Sequence, residues 1–555
     1  PGQNHLAVSG HFRVALTVRH VKRLISMALC LSIVFSFTSC QQSGGQTTVS
    51  KSNQVSAEEN TSKSAQEPVT IKWLAYQTLA QPDPNSEICK AVEKKFNCKF
   101  DFMFVDDSQW DDQLNVKIAS GDLPDVLKLS NQNHIAKYVQ QGILSELSQD
   151  EIKKKAPNYV KAIEKYDKKN VIWKYCMYDN KNYGFANINI DGTYPNPIIW
   201  RIDWLKKVGI DKIPTTLEEF EDAMKKFRNN DPDGDGKKDT YGMSNSMFPI
   251  IYASFGITNA GGCALTEKGG KIVFSSTTDE AKQALTKLAQ WYKEGLIDPE
   301  YVTGEHTSGY WAISNAFENN KIGVTANGSW YHYASPMYDG DTGGAVYLDF
   351  KKTNPTMQYA PGKPIIGPTG KSGAIMGNYE SEPVGITVQG EKNPRIIDTT
   401  LSMLDATYAD DKDYYMMNVW GIKGKNYTLN SDGLPVGNIG STPTEARKEG
   451  ILVFTFASQN PSLKKEVIPP LYNWADKNFN YSGISAPFIP GTKEYMDANS
   501  QYLQNLQKLA TQVYTNIITG KSDINTEFDS FVNKFNSNGG SEIEKAANAA
   551  FNEKS

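Results

Sequence analysis

Three features of the sequence predict an α/β protein of at least two lobes. The chain has 555 residues, more than one ordinary hydrophobic core organises. From residue 69 to residue 129 strand-like and helix-like patterns alternate, which calls for a parallel sheet with helices on both faces. A second α/β pattern starts near Asn196. With 39% hydrophobic and 22% charged residues the composition is globular, and aromatic residues reach 11%. The formal net charge is −4, and Arg13, Arg19, Lys22 and Arg23 all precede residue 40 with no acid among them. The remainder therefore carries −8, a balance that excludes nucleic acid as the partner.

The elements follow in order. Residues 1–39 read as an upstream extension and a signal peptide, with Val21 as a non-ATG start, Lys22 and Arg23 as a basic region, and an apolar run over residues 24–37. That run has 14 residues, short of the ~20 that a membrane-spanning helix needs. It ends in FTSC, residues 37–40, which resembles the lipobox of bacterial lipoproteins, with Ser39 at the small position and Phe37 where an aliphatic residue is usual. The resemblance implies cleavage before Cys40 and lipidation of its thiol. It puts the protein outside the cytoplasm, in contact with the membrane through the lipid alone. Residues 40–68 form a tether: from residue 41 to 67 they are mostly Ser, Thr, Gln, Asn, Lys and Glu with no aromatic ring, which buries too little surface to fold. At ~5–6 Å × √n it spans roughly 30 Å.

In the folded body, VTIKWLAY from Val69 reads as a strand. A helix around Glu87–Phe96, the strand CKFDFMFV, a helix over residues 109–120 and the strand PDVLKLS follow. Ligands on such sheets bind beyond the carboxyl ends of the strands, so Tyr76 and Gln77, and the loop after Leu127, belong to a cleft edge. Several helical patterns run from residue 494 to 551, broken by NGG at residues 538–540. Cys89, Cys98, Cys176 and Cys263 show no metal-ligand spacing and read as buried free thiols, with a Cys89–Cys98 bridge as the alternative in an oxidising compartment.

The sharpest motif is DPDGDGKKDTYG, residues 231–242. Asp231, Asp233, Asp235 and Asp239 occupy positions 1, 3, 5 and 9 of a twelve-residue loop, and Gly236 sits at position 6, the spacing of an EF-hand-type calcium loop. Aspartates so close repel one another unless a cation sits among them, and hard oxygen ligands suit Ca²⁺. The carbonyl of Lys237 supplies position 7. Gly242 stands where an EF-hand carries its bidentate Glu, and Thr240 or water fills the gap. Asp-Pro and Asp-Gly pairs also simply make turns, which is the competing reading. Ahead of the loop, Thr216 and Glu219 form a capping box, and Leu217, Phe220, Ala223, Met224 and Phe227 make a helical stripe that delivers the chain into it.

Several segments are similar to the family-1 extracellular solute-binding proteins, the lipoproteins that capture substrate for ABC sugar importers. They are SGDLPDVL (residues 120–127), NPIIWRIDWLKKVGIDKIPTTLEEFEDAMKKF (196–227), LAQWYKEGLIDPE (288–300), KIGVTANGSW (321–330), GIKGKNY (421–427) and IITGKSDINTEFDSFVNKFNSNGG (517–540). The resemblance implies a periplasmic-binding-protein-like fold: two α/β lobes with a hinge and a ligand cleft between them. The first lobe takes residues 69–195 plus about 331–392, and the second takes 196–330 plus about 393–555. The 231–242 loop is similar to the structural calcium loop of the alginate-oligosaccharide-binding members. By that likeness Asp231, Asp233, Asp235, the Lys237 carbonyl, Asp239 and Thr240 ligate. The implied partners are an oligosaccharide and the permease subunits of an ABC transporter, and a receptor that opens and shuts works as a monomer.

A sugar presents apolar C–H faces and a rim of hydroxyls, so its binder needs aromatic plates with polar groups around them. Trp330 is the first candidate plate, followed by Trp311 and Trp420. Arg201 in WRIDW either forks onto the ligand or pairs with Asp203. Lys423 stands where many members of the family have Glu, and a cation there favours an acidic oligosaccharide. A surface-anchored glycoside hydrolase or polysaccharide lyase is the competing function, since paired carboxylates do that chemistry. GPTGKS at residues 367–372 is not a phosphate loop, because Ile365 occupies the position that requires Gly. Neither HExxH nor GxSxG occurs, and only His134, His306 and His332 follow residue 40, which argues against a zinc hydrolase.

Overall fold

A computed structural model describes residues 67–75, 79–106, 109–303, 315–377, 382–437, 442–456 and 458–552. The signal segment, Cys40, the tether up to residue 66, Tyr76, Gln77 and Trp311 lie outside the described residues. Among the described residues no helix is long and apolar enough to cross a membrane.

The first core forms around three parallel strands. Val69–Leu74 pairs with Cys98–Phe102 on one side and Val126–Lys128 on the other, in the registers Val69↔Cys98 and Trp73↔Val126. Between the first two runs the helix Glu87–Phe96, whose N-cap Ser86 accepts from the Cys89 N–H, turns Ile88, Cys89 and Val92 inward. The fourth strand, Val384–Ile386, joins Val126–Lys128 antiparallel, so the sheet is mixed. Trp73, fully buried, meets Phe100 edge-on with ring centroids 5.1 Å apart and Phe456 at 5.4 Å.

The second core is mainly helical. In Leu217–Asn229 the Thr216–Glu219 capping box is present, and Leu217, Phe220, Ala223, Met224 and Phe227 are all buried, as the stripe predicted. Asp279–Lys293, Gln504–Ile518, Ile524–Phe535 and Ser541–Asn552 pack on the same core. The last two are separated at residues 536–540, where Gly539 takes φ +110°, a backbone conformation for which glycine is suited. The sheet of this lobe is three short antiparallel strands in the order Tyr359–Pro361, Ile199–Arg201, Val324–Thr325. Strand alternation sends Ile198 and Trp200 into the second core and Ile199 into a third, with Trp330, Tyr333, Phe350, Tyr472 and Phe479 on the opposite face.

The segments that build the cores differ from the expected partition. Residues 384–456 contribute Val384, Ile386, Leu401, Leu404, Val453, Phe454 and Phe456 to the first core. Val346, Phe350 and Met357, expected in the first lobe, belong to the third core beside the second. Among the described residues the chain crosses between cores at three long segments, between Ile188 and Ile198, between Ile365 and Val384, and between Phe456 and Ile489, after which Met496 returns briefly to the first core before Leu506 rejoins the second. Pairing decides this, because Val384–Ile386 completes the first sheet and draws the chain after it into that core.

All four cysteines in the described residues are buried and free. Burial pushes the thiols of Cys89, Cys98 and Cys263 up to about 12, so they stay protonated and inert.

Candidate functional site

A partly enclosed cavity of about 200 Å³ sits where the first crossing segment meets the third core. Asn189, Asp191, Tyr194 and Asn196 line it from the crossing, Ser329, Trp330 and Tyr331 from the turn after Val324–Thr325, and Gly377 from the second crossing. The crossing sequence NIDGTYPNP lacks the periodicity of either element. It forms a short 3₁₀ turn at Ile190–Thr193, started by Asn189, whose side chain accepts from the Asp191 N–H at 3.1 Å. The turn at Trp330–Tyr333 is held by a bond from the Ser329 N–H to His332 Nδ1 of 3.1 Å. Gly328 enters it at φ +78°, and a Cβ there would stand 2.9 Å from that nitrogen. Burial pushes the His332 imidazole down to about 4, so it is neutral at physiological pH and Nδ1 accepts.

Trp330 lines the cavity but offers no open plate. It is 2% exposed and packs among Tyr194 at 5.0 Å, Tyr472 at 5.7 Å and Trp474 at 6.3 Å between ring centroids. Its indole Nε1 has no hydrogen-bond partner among the described residues. Polar groups fix the surroundings: Tyr194 donates to Asp476 Oδ1 at 2.7 Å, Tyr472 donates to Asp191 Oδ1 at 2.9 Å, and the Lys464 ammonium pairs with Asp191 Oδ2. Tyr472, Trp474 and Asp476 all come from the helix Pro469–Phe479 in the third crossing. The site is therefore bounded by the segments on which the two cores would swing.

The other sequence candidates lie elsewhere. Arg201 is 2% exposed and fully engaged: Nε donates to Asp203 Oδ1 at 2.9 Å, Nη2 to Oδ2 at 2.7 Å and Nη1 to Asn320 Oδ1 at 2.7 Å. Its guanidinium also lies 4.5 Å from the Trp204 ring. Pairing with Asp203, the alternative open in the sequence, is what the structure contains. Trp420 is half-buried against Tyr427, 6.4 Å away, in a separate small cluster with Tyr415, Met416 and Leu463. Lys423 is exposed in the turn before Tyr427. Neither lines the cavity. A larger concavity, about 560 Å³, follows one face of Gln504–Ile518, but its lining is Gln, Lys, Thr and Asn with no ring for a sugar to stack on.

Sequence reasoning missed Asp191, Tyr194 and their partners on Pro469–Phe479. The available signal was the run of Asn, Gly and Pro between two apolar blocks at residues 189–197, which marks a crossing and hence the floor of a cleft.

The acidic loop follows the helix Leu217–Asn229 directly. Oxygens of Asp231, Asp233 and Asp235 lie within 4.8 Å of one another. Asp231 has φ +46° and its two oxygens accept from the N–H groups of Gly234 and Gly236, both at 3.0 Å. Asp233 Oδ1 is buried with no hydrogen-bond partner among the described residues. Burial, a hydrogen bond shared with Asp231, and the charge of Asp235 raise the Asp233 carboxyl above its ordinary value. An unpartnered buried oxygen beside two carboxylates fits a hard divalent cation. Two expected ligands are not in the cluster. Asp239 is not among the three carboxylates whose oxygens lie within 4.8 Å of one another. Thr240 is 1% exposed and its hydroxyl donates to the Phe227 carbonyl at 2.7 Å, because the chain is already re-entering the core there. The Lys237 ammonium rests on Asp235 Oδ2 at 2.7 Å and its N–H on Oδ1 at 2.8 Å.

Comparison with known proteins places these features. Lipoprotein LipO of Bacillus subtilis (strain 168) is 26% identical over 496 residues, which is 87% of this chain and 92% of LipO. The fructooligosaccharide ABC transporter substrate-binding protein FusA of Streptococcus pneumoniae is 26% identical over 388 residues, 66% of this chain and 65% of FusA. A crystal structure of the alginate-binding protein AlgQ2 without calcium ion superposes with TM-score 0.66 at 18% identity, over 88% of this chain and 98% of that one. An EF-hand mutant of FusA in complex with fructo-nystose superposes with TM-score 0.61 at 19% identity, over 87% and 99%. These likenesses show the fold, two α/β lobes of the periplasmic-binding-protein type with a hinge and a cleft between them. The bacterial extracellular solute-binding protein family matches residues 82–394, more than half of the sequence, and the chain belongs to that family.

Proposed function

We propose that this chain is the extracytoplasmic receptor of an ABC importer, lipidated at Cys40, which closes its lobes on an oligosaccharide and hands it intact to the permease. The observation that carries this reading is the cavity at the crossing segments, where aromatic rings, amides and a carboxylate converge on a space that hinge motion opens and shuts. FusA is named for fructooligosaccharides and an ABC transporter, and AlgQ2 for alginate, so receptors of the same fold support an oligosaccharide here. One lobe takes residues 69–188 and 384–456, the other 198–374 and 489–552, and the receptor acts as a monomer. Lys423, the ground for an acidic ligand, stands exposed and away from the cavity.

Incubation of purified protein with labelled oligosaccharides returns them at full length, while their presence raises the melting temperature. At 100 times Kd the added stability is ~2.7 kcal/mol. Shortened sugars in the supernatant would instead make it a hydrolase or lyase.

The acidic loop holds Ca²⁺ through Asp231, Asp233 and Asp235, with the Lys237 carbonyl and water completing the shell and the Lys237 ammonium swinging away. The ion supplies the positive charge that lets three carboxylates pack at the end of a helix. A neighbour of this fold, FusA, is named with an EF-hand mutant, which supports this reading of the loop. EDTA lowers the melting temperature, added Ca²⁺ restores it, and Asp233→Asn removes the response. A melting curve indifferent to both reagents means that the aspartates only shape a turn.

A further inference from the structure

The cavity contains one charged group, and its place says which sugars enter. Among the described lining residues Asp191 alone carries a charge, and no Lys, Arg or His is present. Its oxygens are anchored from behind: Tyr472 donates to Oδ1 at 2.9 Å and the Lys464 ammonium pairs with Oδ2, yet neither Tyr472 nor Lys464 lines the cavity. A carboxylate has about four lone-pair sites, so roughly two remain to accept from a guest. Of this ion pair only the carboxylate partner lines the cavity. Beside it, Asn189 spends its oxygen on the Asp191 N–H and keeps its Nδ2 to donate. Hydroxyls, which both give and accept hydrogen bonds, match this set. A second carboxylate does not.

The volume sets the number of rings. A cavity of ~150 Å³ takes one benzene-sized ring, and this one, at about 200 Å³ in the lobe arrangement seen here, matches one sugar ring with its hydroxyls.

We propose that the cavity holds a single terminal ring of a neutral oligosaccharide, with Asp191 accepting two of its hydroxyls and excluding uronates. The proposal rests on the receptor reading and narrows its substrate class. It separates this chain from the alginate-binding relative whose fold it shares, and it runs against the acidic ligand that Lys423 suggested.

Calorimetric titration of the full chain tests it with two series of trisaccharides at one ionic strength. The neutral series is kestose, maltotriose, cellotriose and xylotriose; the acidic series is trigalacturonate and an alginate trimer. At least one neutral sugar binds, and the uronates bind on the order of 10-fold more weakly, because the Lys464 ammonium offsets much of the repulsion that a bare carboxylate would exert. Methyl esterification of trigalacturonate recovers part of the loss. Asp191→Asn weakens the neutral sugar about tenfold, because two charge-assisted bonds become neutral ones, and narrows the gap between the series by a similar factor. Uronates that bind the unaltered chain as tightly as neutral sugars overturn the specificity and leave the receptor standing. Silence from both series overturns the receptor and this inference together. The comparison within the unaltered chain decides the matter even where the variant folds poorly.

Discussion

Replacing Arg201 by alanine lowers the free energy of unfolding by roughly 3–5 kcal/mol, the cost of breaking a buried ion pair from one side, and leaves sugar affinity unchanged. The guanidinium satisfies three acceptor atoms, two on Asp203 and one on Asn320, and covers the Trp204 ring. Without it, Asp203, whose side chain is 21% exposed, keeps a charge that water reaches only in part, so the loss falls toward the lower end of that range. Asn320 also accepts from Asn354 Nδ2 at 3.2 Å, so the truncation loosens the junction of three segments. Arg201→Lys recovers less than half of the loss, because an ammonium makes no two-pronged bond to a carboxylate. Urea unfolding followed by fluorescence, with calorimetry on the folded protein, separates the two roles. Normal stability with a tenfold loss of affinity would falsify the assignment and return Arg201 to the ligand.

The sequence showed some of this because local physics is strong there, and hid the rest where three-dimensional pairing decides. The helix Leu217–Asn229 has a cap, a stripe and a stop within thirteen residues, and each is a short-range signal. Val69–Leu74 was equally plain, an apolar run long enough to need burial. Val384–Ile386, by contrast, has only three residues, too few for a period, and nothing local says that it completes the first sheet and carries residues 384–456 into that core. The antiparallel sheet of the second lobe has strands of two or three residues for the same reason. In the acidic loop the spacing brought Asp231, Asp233 and Asp235 together, but Thr240 looked available only because sequence does not show that its hydroxyl caps the Phe227 carbonyl inside the core. Asp191 was one of 62 acidic residues, and its importance comes from Tyr472 and Lys464, more than 270 positions away in the chain.

Trp330→Ala removes the largest side chain of the cavity and produces two losses that different variants separate. Stability falls by ~3–5 kcal/mol, the usual cost of emptying a buried aromatic site, since the rings of Tyr194, Tyr472 and Trp474 all rest on the indole. Affinity falls about tenfold, ~1.4 kcal/mol, because the indole, 2% exposed, holds the cavity wall in place and offers the sugar no open face. Trp330→Phe keeps most of the packing and removes Nε1, which is buried without a partner among the described residues. A donor in that condition costs the unliganded protein about 1–3 kcal/mol, so its removal offsets part of the lost volume, and the Phe variant melts close to the unaltered protein. If a sugar hydroxyl accepts from Nε1, the same variant binds about tenfold more weakly. Near-normal stability with weakened binding therefore marks the indole N–H as a ligand contact. Near-normal stability with unchanged binding reduces Trp330 to packing and shifts recognition to the carboxylate and amides of the crossing segment.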